Sequence, residues 1–448
     1  MASAIRPAHL SRRPFLQAGA AAALGLFWNG WVRAESSQRA NGKAKSVILI
    51  FNAGAPSHID LWDPKPDAGE EVRGPFKPIK TSVPGIQVSQ LLPRLARQAN
   101  RYAIVRTVHH AHTQHNSGMH WSIVGRPYRL DSTLINPSRD DCPSFGTLVG
   151  WLAQRDGHSS AVPPYVITPF PHCDSTVYIT PGQFGGCLGG RYDPFVLNAD
   201  PNAADFRPDF AGREASDPAR LGGRRELLSR LDTSPVSDAT LFREFETNKH
   251  KAFSLVGSLQ VRQAFDLSRE SPAVRDRYGR HSWGQSHLLA RRLVEAGCRF
   301  VTTVNGPSIV WDTHKDNFRQ LESKLVPPME RAFSALLDDL DDRGLLDSTL
   351  VIWLGDFGRT PAINKDAGRD HWPQCYSAVL AGGGIRGGQV IGVSDAIGAF
   401  PKDRPITPAD LHATVFTALG YDPHAIAYRS PEGRPFPLSE GNPVLQLL

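Results

Sequence analysis

The chain has 448 residues, 40% of them hydrophobic and 21% charged, with a formal net charge of +6. Length and composition exclude a disulfide-stapled miniprotein, a collagen-like chain and a mostly disordered one, and they leave room for a large buried core. The basicity does not point to nucleic acid: four arginines and no acid fall in residues 1–34, so the remainder carries +2 and no basic run with interleaved aromatics.

Those first residues read as a segment of their own. Ser11-Arg-Arg-Pro-Phe-Leu16 is a twin-arginine pattern, an apolar run follows from Leu16 through Leu26 to Trp31, and Val32-Arg33-Ala34 loosely fits a small-residue cleavage rule. The expectation is a signal peptide over residues 1–34 and export of the folded protein by the twin-arginine translocase to a periplasmic or extracellular site. The apolar stretch is too short and too rich in Gly and Ala for a stable membrane span. Residues 35–448 read as a single α/β domain with an insertion at about 160–285. The five cysteines (Cys142, Cys173, Cys187, Cys298 and Cys375) are scattered without C-x-x-C spacing. An odd number leaves at least one thiol without an internal partner, and Cys173 with Cys187 is one conceivable bridge.

In chain order, Ser46-Val-Ile-Leu-Ile-Phe51 is a continuous apolar run ending in Asn-Ala-Gly-Ala-Pro-Ser, which predicts a buried strand and a turn. Leu91 to Arg101 reads as a short helix with Pro93 in its first turn. A second strand over Tyr102–Arg106 opens into a His-rich segment, Val108 to His120, and the stretch from Ser117 to Gly125 looks helical. Residues 160–215 are rich in Gly, Pro and Asp, with little periodicity, and read as a long loop-rich excursion. Helical spacing covers 223–298 and stops at Gly297. Strands follow at Arg299–Val304, Thr349–Leu354 and Tyr376–Ala381. Helices are predicted from Pro328 to Arg343 and from Pro408 to Leu419, the latter with Thr407 as N-cap. Alternating strands and helices imply a doubly wound, mostly parallel sheet.

Chemistry in such sheets sits outside the carboxyl ends of the strands. Four predicted strand ends carry polar residues: Asn52 with Ser57 and Asp60; the segment His109–His120; Asp312 with His314; and Asp356 with Asp370 and His371. Carboxylates and imidazoles drawn from separate strands to one edge are what a divalent ion needs, and the donor types suit Zn²⁺ or Mn²⁺. Ser117, at the start of a helix, lies in the positive end of the helix dipole, where a neighbouring base or metal could make it a nucleophile. It could equally be a plain cap.

At this point the chain resembles a family. The residues that carry the likeness are Asn52-Ala-Gly-Ala-Pro-Ser-His-Ile-Asp-Leu-Trp-Asp-Pro-Lys-Pro66, Ala290-Arg-Arg-Leu-Val-Glu-Ala-Gly297, Trp311-Asp-Thr-His314, Gly355-Asp-Phe-Gly-Arg-Thr-Pro361, Gly368-Arg-Asp-His-Trp-Pro373 and Ala381-Gly-Gly-Gly-Ile-Arg-Gly-Gly388. With the twin-arginine start they look like the exported bacterial family "domain of unknown function 1501", grouped with the alkaline phosphatase and sulfatase superfamily. The resemblance implies an alkaline phosphatase-like fold and a metal site. Asn52 stands where the superfamily places a metal-binding Asp, with Asp60 and Asp63 nearby. Asp356 is followed by Phe357 where a His is often found. Asp312 and His314 resemble a ligand pair, and His371 the final His ligand. Asn116-Ser117-Gly118 is the nearest match to the phosphatase nucleophile. Ile135-Asn-Pro-Ser-Arg139 has Ile where a sulfatase carries the residue converted to an aldehyde, and this disfavours a standard sulfatase.

The leading expectation is an exported metal-dependent hydrolase of phosphate or sulfate esters. It would hold one or two divalent ions (Zn, Mn or Ca) and take an anionic small-molecule or polysaccharide ester. Asp312, His314, Asp356, His371, Asp370, Asn52 and Asp60 are the candidate metal residues. Ser117 or a water on the metal would attack, His115 would be the base, and Arg359 would clamp the anion. The alternative is a non-catalytic exported binding or surface protein on the same fold, for which Asn52 and Phe357 speak.

Overall fold

The computed structural model describes residues 42–174, 178–207, 218–231, 257–306, 308–430 and 432–448. The expected signal peptide, and parts of the expected insertion, lie outside them. Eight strands build the main sheet: β1 (Ser46–Asn52), β2 (Tyr102–Val108), β3 (Tyr165–Thr168), β4 (Phe195–Val196), β5 (Phe300–Val304), β6 (Thr349–Gly355), β7 (Tyr376–Ala381) and β8 (Gln389–Ile391). Their spatial order is β8-β2-β7-β6-β1-β5-β3-β4. All neighbours pair in parallel except β7, which runs antiparallel to both β2 and β6. No crossover helix separates β6 from β7; a two-stranded ribbon of Gly358–Arg359 against His371–Trp372 turns the chain back instead.

β1 is buried along its whole length, and its pleat divides it between two cores. Val47, Leu49 and Phe51 pack with helices α1 (His115–Val124), α2 (Phe145–Arg155) and α5 (Pro408–Ala418) on one face. Ile48 and Ile50 pack on the other face, with α3 (Ser282–Glu295) and α4 (Val326–Asp342). Coverage of both faces is why the central strands read as unbroken apolar runs rather than alternating ones.

The predicted elements recur with shifted ends. α1 starts at His115, two residues before Ser117, and its N-cap Gln114 makes no side-chain capping bond. Ser117 is therefore not a cap. Gly125 closes the helix in the left-handed region at φ 76°. Thr407 caps α5 in a full capping box with Asp410. The excursion over 160–215 differs from expectation: it contains β3, an interior strand of the main sheet, and the edge strand β4. β3 is four buried residues, Tyr-Val-Ile-Thr, too short to show a period among its Pro and Gly neighbours.

Parallel register brings the strand ends together. Asn52 lies beside Gly355 and Phe51 beside Val304, so the segments that follow β1, β5 and β6 leave the sheet at one edge.

Candidate metal centre

Asp356 follows β6 at this edge and is fully buried. Its Oδ1 accepts from Gly54 N at 3.1 Å and Ala55 N at 2.5 Å. Gly54 and Ala55 adopt φ of 103° and 64°, and this left-handed turn aims two successive amides at the carboxylate. The other oxygen, Oδ2, accepts from His115 Nδ1. Both oxygens are thus engaged, and Asp356 sets the ring of His115.

Two more imidazoles are set in the same way. His314 Nδ1 lies 2.6 Å from Asp370 Oδ1, and His371 Nδ1 lies 2.6 Å from the Thr113 carbonyl. Each Nδ1 faces a group that can only accept, so each Nδ1 donates, and in the neutral ring the lone pair falls on Nε2. The three Nε2 atoms converge on a single oxygen, Asp312 Oδ1: His115 at 3.4 Å, His314 at 3.1 Å and His371 at 3.2 Å. His314 and His371 also bring their Nε2 atoms within 3.0 Å of each other. Lone pairs facing lone pairs repel unless a proton or a cation lies between them. His115 Nε2 is buried without a hydrogen-bond partner. Among the described residues, His115, Asp312 and His371 form the one group whose ligand atoms all lie within 4.8 Å of one another. Two imidazoles and a carboxylate from this group are donors that suit an N/O ion such as Zn²⁺, and His314, close to Asp312 and His371, lies at its margin. Asp356 behind His115 and Asp370 behind His314 stand where outer carboxylates orient the histidines of metal sites.

The electrostatics carry the same signature. Burial opposes ionisation of Asp312, yet the adjacent imidazoles of His115 and His371 and the charge of Arg359 hold its carboxyl far below the usual range. Asp356 is held low against burial by the charge and hydrogen bond of His115. Burial should lower His115, but Asp356 and Asp312 push it up to about 9. For His371 burial prevails, and its pKa falls. In the metal-free chain a protonated His115 takes the place of a cation between two carboxylates.

Phe357, which stands where the resemblance expects a His, packs under the site: its ring stacks on His115 at 5.1 Å and lies 4.8 Å from His371. The remaining expected residues are placed apart from the convergence point. Asn52 is fully buried and ties the sheet together, donating to Ile50 O and Leu354 O and accepting from Asn305. Asp60 takes Arg369 on both oxygens, at 2.8 and 2.9 Å, and also accepts from Asn317. Ser117 Oγ donates to Asp131 at 2.6 Å. Arg359 is fully buried and donates to the carbonyls of Ala55, Gly54, Arg369 and Trp311 as well as to Asp312 Oδ1. It stabilises Asp312 from behind and reaches no open face. No disulfide joins Cys173 to Cys187, and Cys142, Cys298 and Cys375 form none either.

One residue of the His-rich segment that was not singled out, and two that the sequence reading missed, complete the surroundings. His110 Nε2 lies 2.6 Å from the Asp356 carbonyl. His172 is buried among the charges of Asp356 and His115, and Asp174 feels His115, Asp312, Asp356 and His371. The last two follow β3, so the strand-end rule would have found them had the strand been recognised.

Fold and site together define an α/β protein with a histidine–carboxylate centre at the carboxyl edge of a mostly parallel sheet. The family described as "Protein of unknown function (DUF1501)" matches residues 44–448, and the chain belongs to it. Similar solved structures include the phosphonate monoester hydrolase SpPMH from Silicibacter pomeroyi, with 12% identity, TM-score 0.39, and coverage of 90% of this chain and 76% of that one. A protein in the alkaline phosphatase superfamily from Vibrio parahaemolyticus has 12% identity, TM-score 0.37, and coverage of 86% and 68%. The PsFucS1 sulfatase from Pseudoalteromonas sp. has 13% identity, TM-score 0.35, and coverage of 87% and 69%. No curated protein matches the sequence.

Proposed function

We propose that the protein is an exported metal-dependent hydrolase of phosphate or sulfate esters. The observation that carries this reading is the convergence of His115, His314 and His371 Nε2 on Asp312 Oδ1, with all three Nδ1 atoms tied to acceptors. His115, Asp312 and His371 would hold a divalent ion, with His314 beside them, and the ion when bound supplies Lewis-acid stabilisation of charge developing on the ester oxygens. The protein's own part is to hold the ligands at the right tautomer, through Asp356, Asp370 and the Thr113 carbonyl, and to offset the charge of Asp312 with Arg359. His314 and Asp370 are the exposed members, with 40% and 54% of their side chains accessible, so the ester would enter from their side. Ser117 is engaged by Asp131 away from the ligands, which favours water as the nucleophile. The twin-arginine pattern supports export.

A non-catalytic exported binding protein is the second reading. The commitment of Arg359 to carbonyls and Asp312 favours it, because that guanidinium clamps no anion. Elemental analysis of the purified protein beside its Asp312→Ala and His371→Ala variants separates the two. The hydrolase reading expects about one equivalent of zinc or manganese, lost in both variants, and turnover of aryl phosphate or sulfate esters. A parent that takes up no metal on addition rejects it.

A further inference from the structure

We propose that Cys142 and Cys187 are a disulfide-forming pair, whose oxidation staples the segment following β3 to the approach to α2. Three ties join those two segments in antiparallel register. Arg139 donates to both oxygens of Asp193, at 2.8 and 2.9 Å. Cys187 N donates to Asp141 O at 3.0 Å, and Ser144 N donates to Gly182 O at 2.8 Å. Cys142 therefore lies in the seam between two of these ties, next to the residue that holds Cys187. With standard peptide dimensions, the bond from Cys187 to Asp141 keeps the two cysteine Cα atoms within about 7 Å, a span that a disulfide can bridge.

The close approach is built into the backbone. Gly186 takes a φ of 49°, and a Cβ there would lie 2.2 Å from Asp141 O and 3.6 Å from the carbonyl carbon of Cys142. Only glycine lets the two segments touch at this point. Both cysteines pack against the same apolar cluster. Tyr428 feels both thiols: burial raises its phenol most, and Cys142, which also hydrogen-bonds it, and Cys187 act in the same direction. Burial, with Cys142 adding to it, pushes the Cys187 thiol up to about 11. The other cysteines are placed apart from this seam. Cys173 pairs with Ile179 in a local antiparallel bridge. Cys298 and Cys375 are fully buried, with their Sγ atoms on the carbonyls of Phe300 and Arg106. Cys142 and Cys187 are each only partly buried, so a small oxidant reaches them.

The oxidant is a small-molecule disulfide. One protein thiolate attacks a sulfur of that disulfide, breaks its S–S bond and expels one small thiolate, which leaves a mixed disulfide on the protein. The second protein thiolate attacks the protein sulfur of the mixed disulfide and expels the other small thiolate. The two protons from the protein thiols end on the two expelled thiols, and two electrons pass from the protein sulfurs to the oxidant. The new bond closes a loop of about 45 residues, which restrains the unfolded chain. Gly182, on the stapled segment, lies so close to α1 that a Cβ there would meet Val124 at 2.5 Å and His120 at 3.0 Å. The staple thus also holds the cover over the helix that carries His115. It involves neither metal nor ester and is independent of the hydrolase reading.

The test incubates the reduced full-length protein with oxidised glutathione, then reads intact mass, titratable thiols in guanidinium and thermal melts. The parent should lose the mass of two hydrogens without gaining glutathione, and its five thiols should fall to three. Chymotryptic peptides of the oxidised parent, cut at Tyr178 and Phe184, should show Cys142 linked to Cys187 and Cys173 unlinked. Its melting midpoint should lie roughly 5 °C above that of the reduced protein. Cys173→Ser should keep the link and the shift, whereas Cys142→Ser and Cys187→Ser should lose both. A parent that retains five thiols, a link that includes Cys173, or a two-hydrogen loss that survives in Cys142→Ser or Cys187→Ser overturns the pairing. Equal midpoints for the oxidised and reduced parent overturn the staple. Zinc uptake and ester turnover are read separately, and failure of either rejects the hydrolase reading while leaving this pairing standing.

Discussion

At the scale of single residues, the centre depends on carboxylates that never touch its focus. Asp356 has two backbone amides on one oxygen and His115 on the other. An asparagine has one acceptor oxygen for those two duties, and its NH₂ would face a donor. Asp356→Asn should therefore weaken zinc binding by about 10–100-fold while every ligand remains, as read by competition with a chromophoric chelator. An unchanged affinity would mean that Asp356 does not orient His115. Asp60 makes the contrasting case. It is paired with Arg369 where both side chains are fully buried, so Asp60→Asn leaves a guanidinium without its charge partner. The expected loss is about 3–5 kcal/mol of unfolding free energy in urea. If Asp60 were instead a ligand, the variant would lose zinc at low denaturant while keeping its stability.

At the scale of elements, the geometry of the ligands comes from how α1 meets the end of β6. Gly118, one turn after His115, allows Phe357 to pack against the helix: a Cβ there would lie 2.7 Å from the Phe357 ring. Gly118→Ala must push that ring, and the ring supports both His115 and His371. We expect a stability loss of about 1–3 kcal/mol together with weaker zinc binding, measured by thermal melts and chelator competition. Thr407→Ala is the matched control. It removes the capping box of α5 and should cost about 1 kcal/mol with zinc affinity unchanged. Equal effects of the two variants on zinc binding would show that the link through Phe357 is not specific.

At the scale of the whole molecule, several histidines are buried in neutral form. Burial lowers His110 and His412 to about 4 and His120 and His172 to about 3. In the unfolded chain they return to an ordinary value near 6.5. Between pH 6.5 and 3 the unfolded chain therefore binds more protons, and stability falls as the pH falls through that window. His115 works in the opposite sense. Raised to about 9, it contributes its full stabilisation below pH 6.5 and loses it as the pH rises through 9. The metal-free protein should have a lower urea midpoint at pH 5 than at pH 7 with an unchanged m-value, and should weaken again as the pH rises from 7 through 9. A midpoint flat from pH 7 to 5 would contradict neutral burial of these rings.

The central strands, the capped helix at Thr407 and the polar residues at strand ends were legible in the amino-acid sequence, because they rest on local physics: continuous apolar runs, turn residues and caps act over a few neighbours. The family likeness was legible too, since its motifs are long. The short strand β3 was not, because four residues carry no period. Nor could local pattern assign roles within the motifs. Asp312, His314, Asp356, Asp370, His371, Asn52, Asp60 and Arg359 are all polar groups near strand ends, and chemistry alone makes each a plausible ligand or anion clamp. Only the parallel register and the packing of α1 decide which of them meet. They bring three imidazoles onto Asp312 and place Asp356 and Asp370 behind two of them. Asp60 goes to Arg369, Asn52 to the sheet and Arg359 to carbonyls, because a buried charge or amide must find its partner wherever the tertiary structure supplies one.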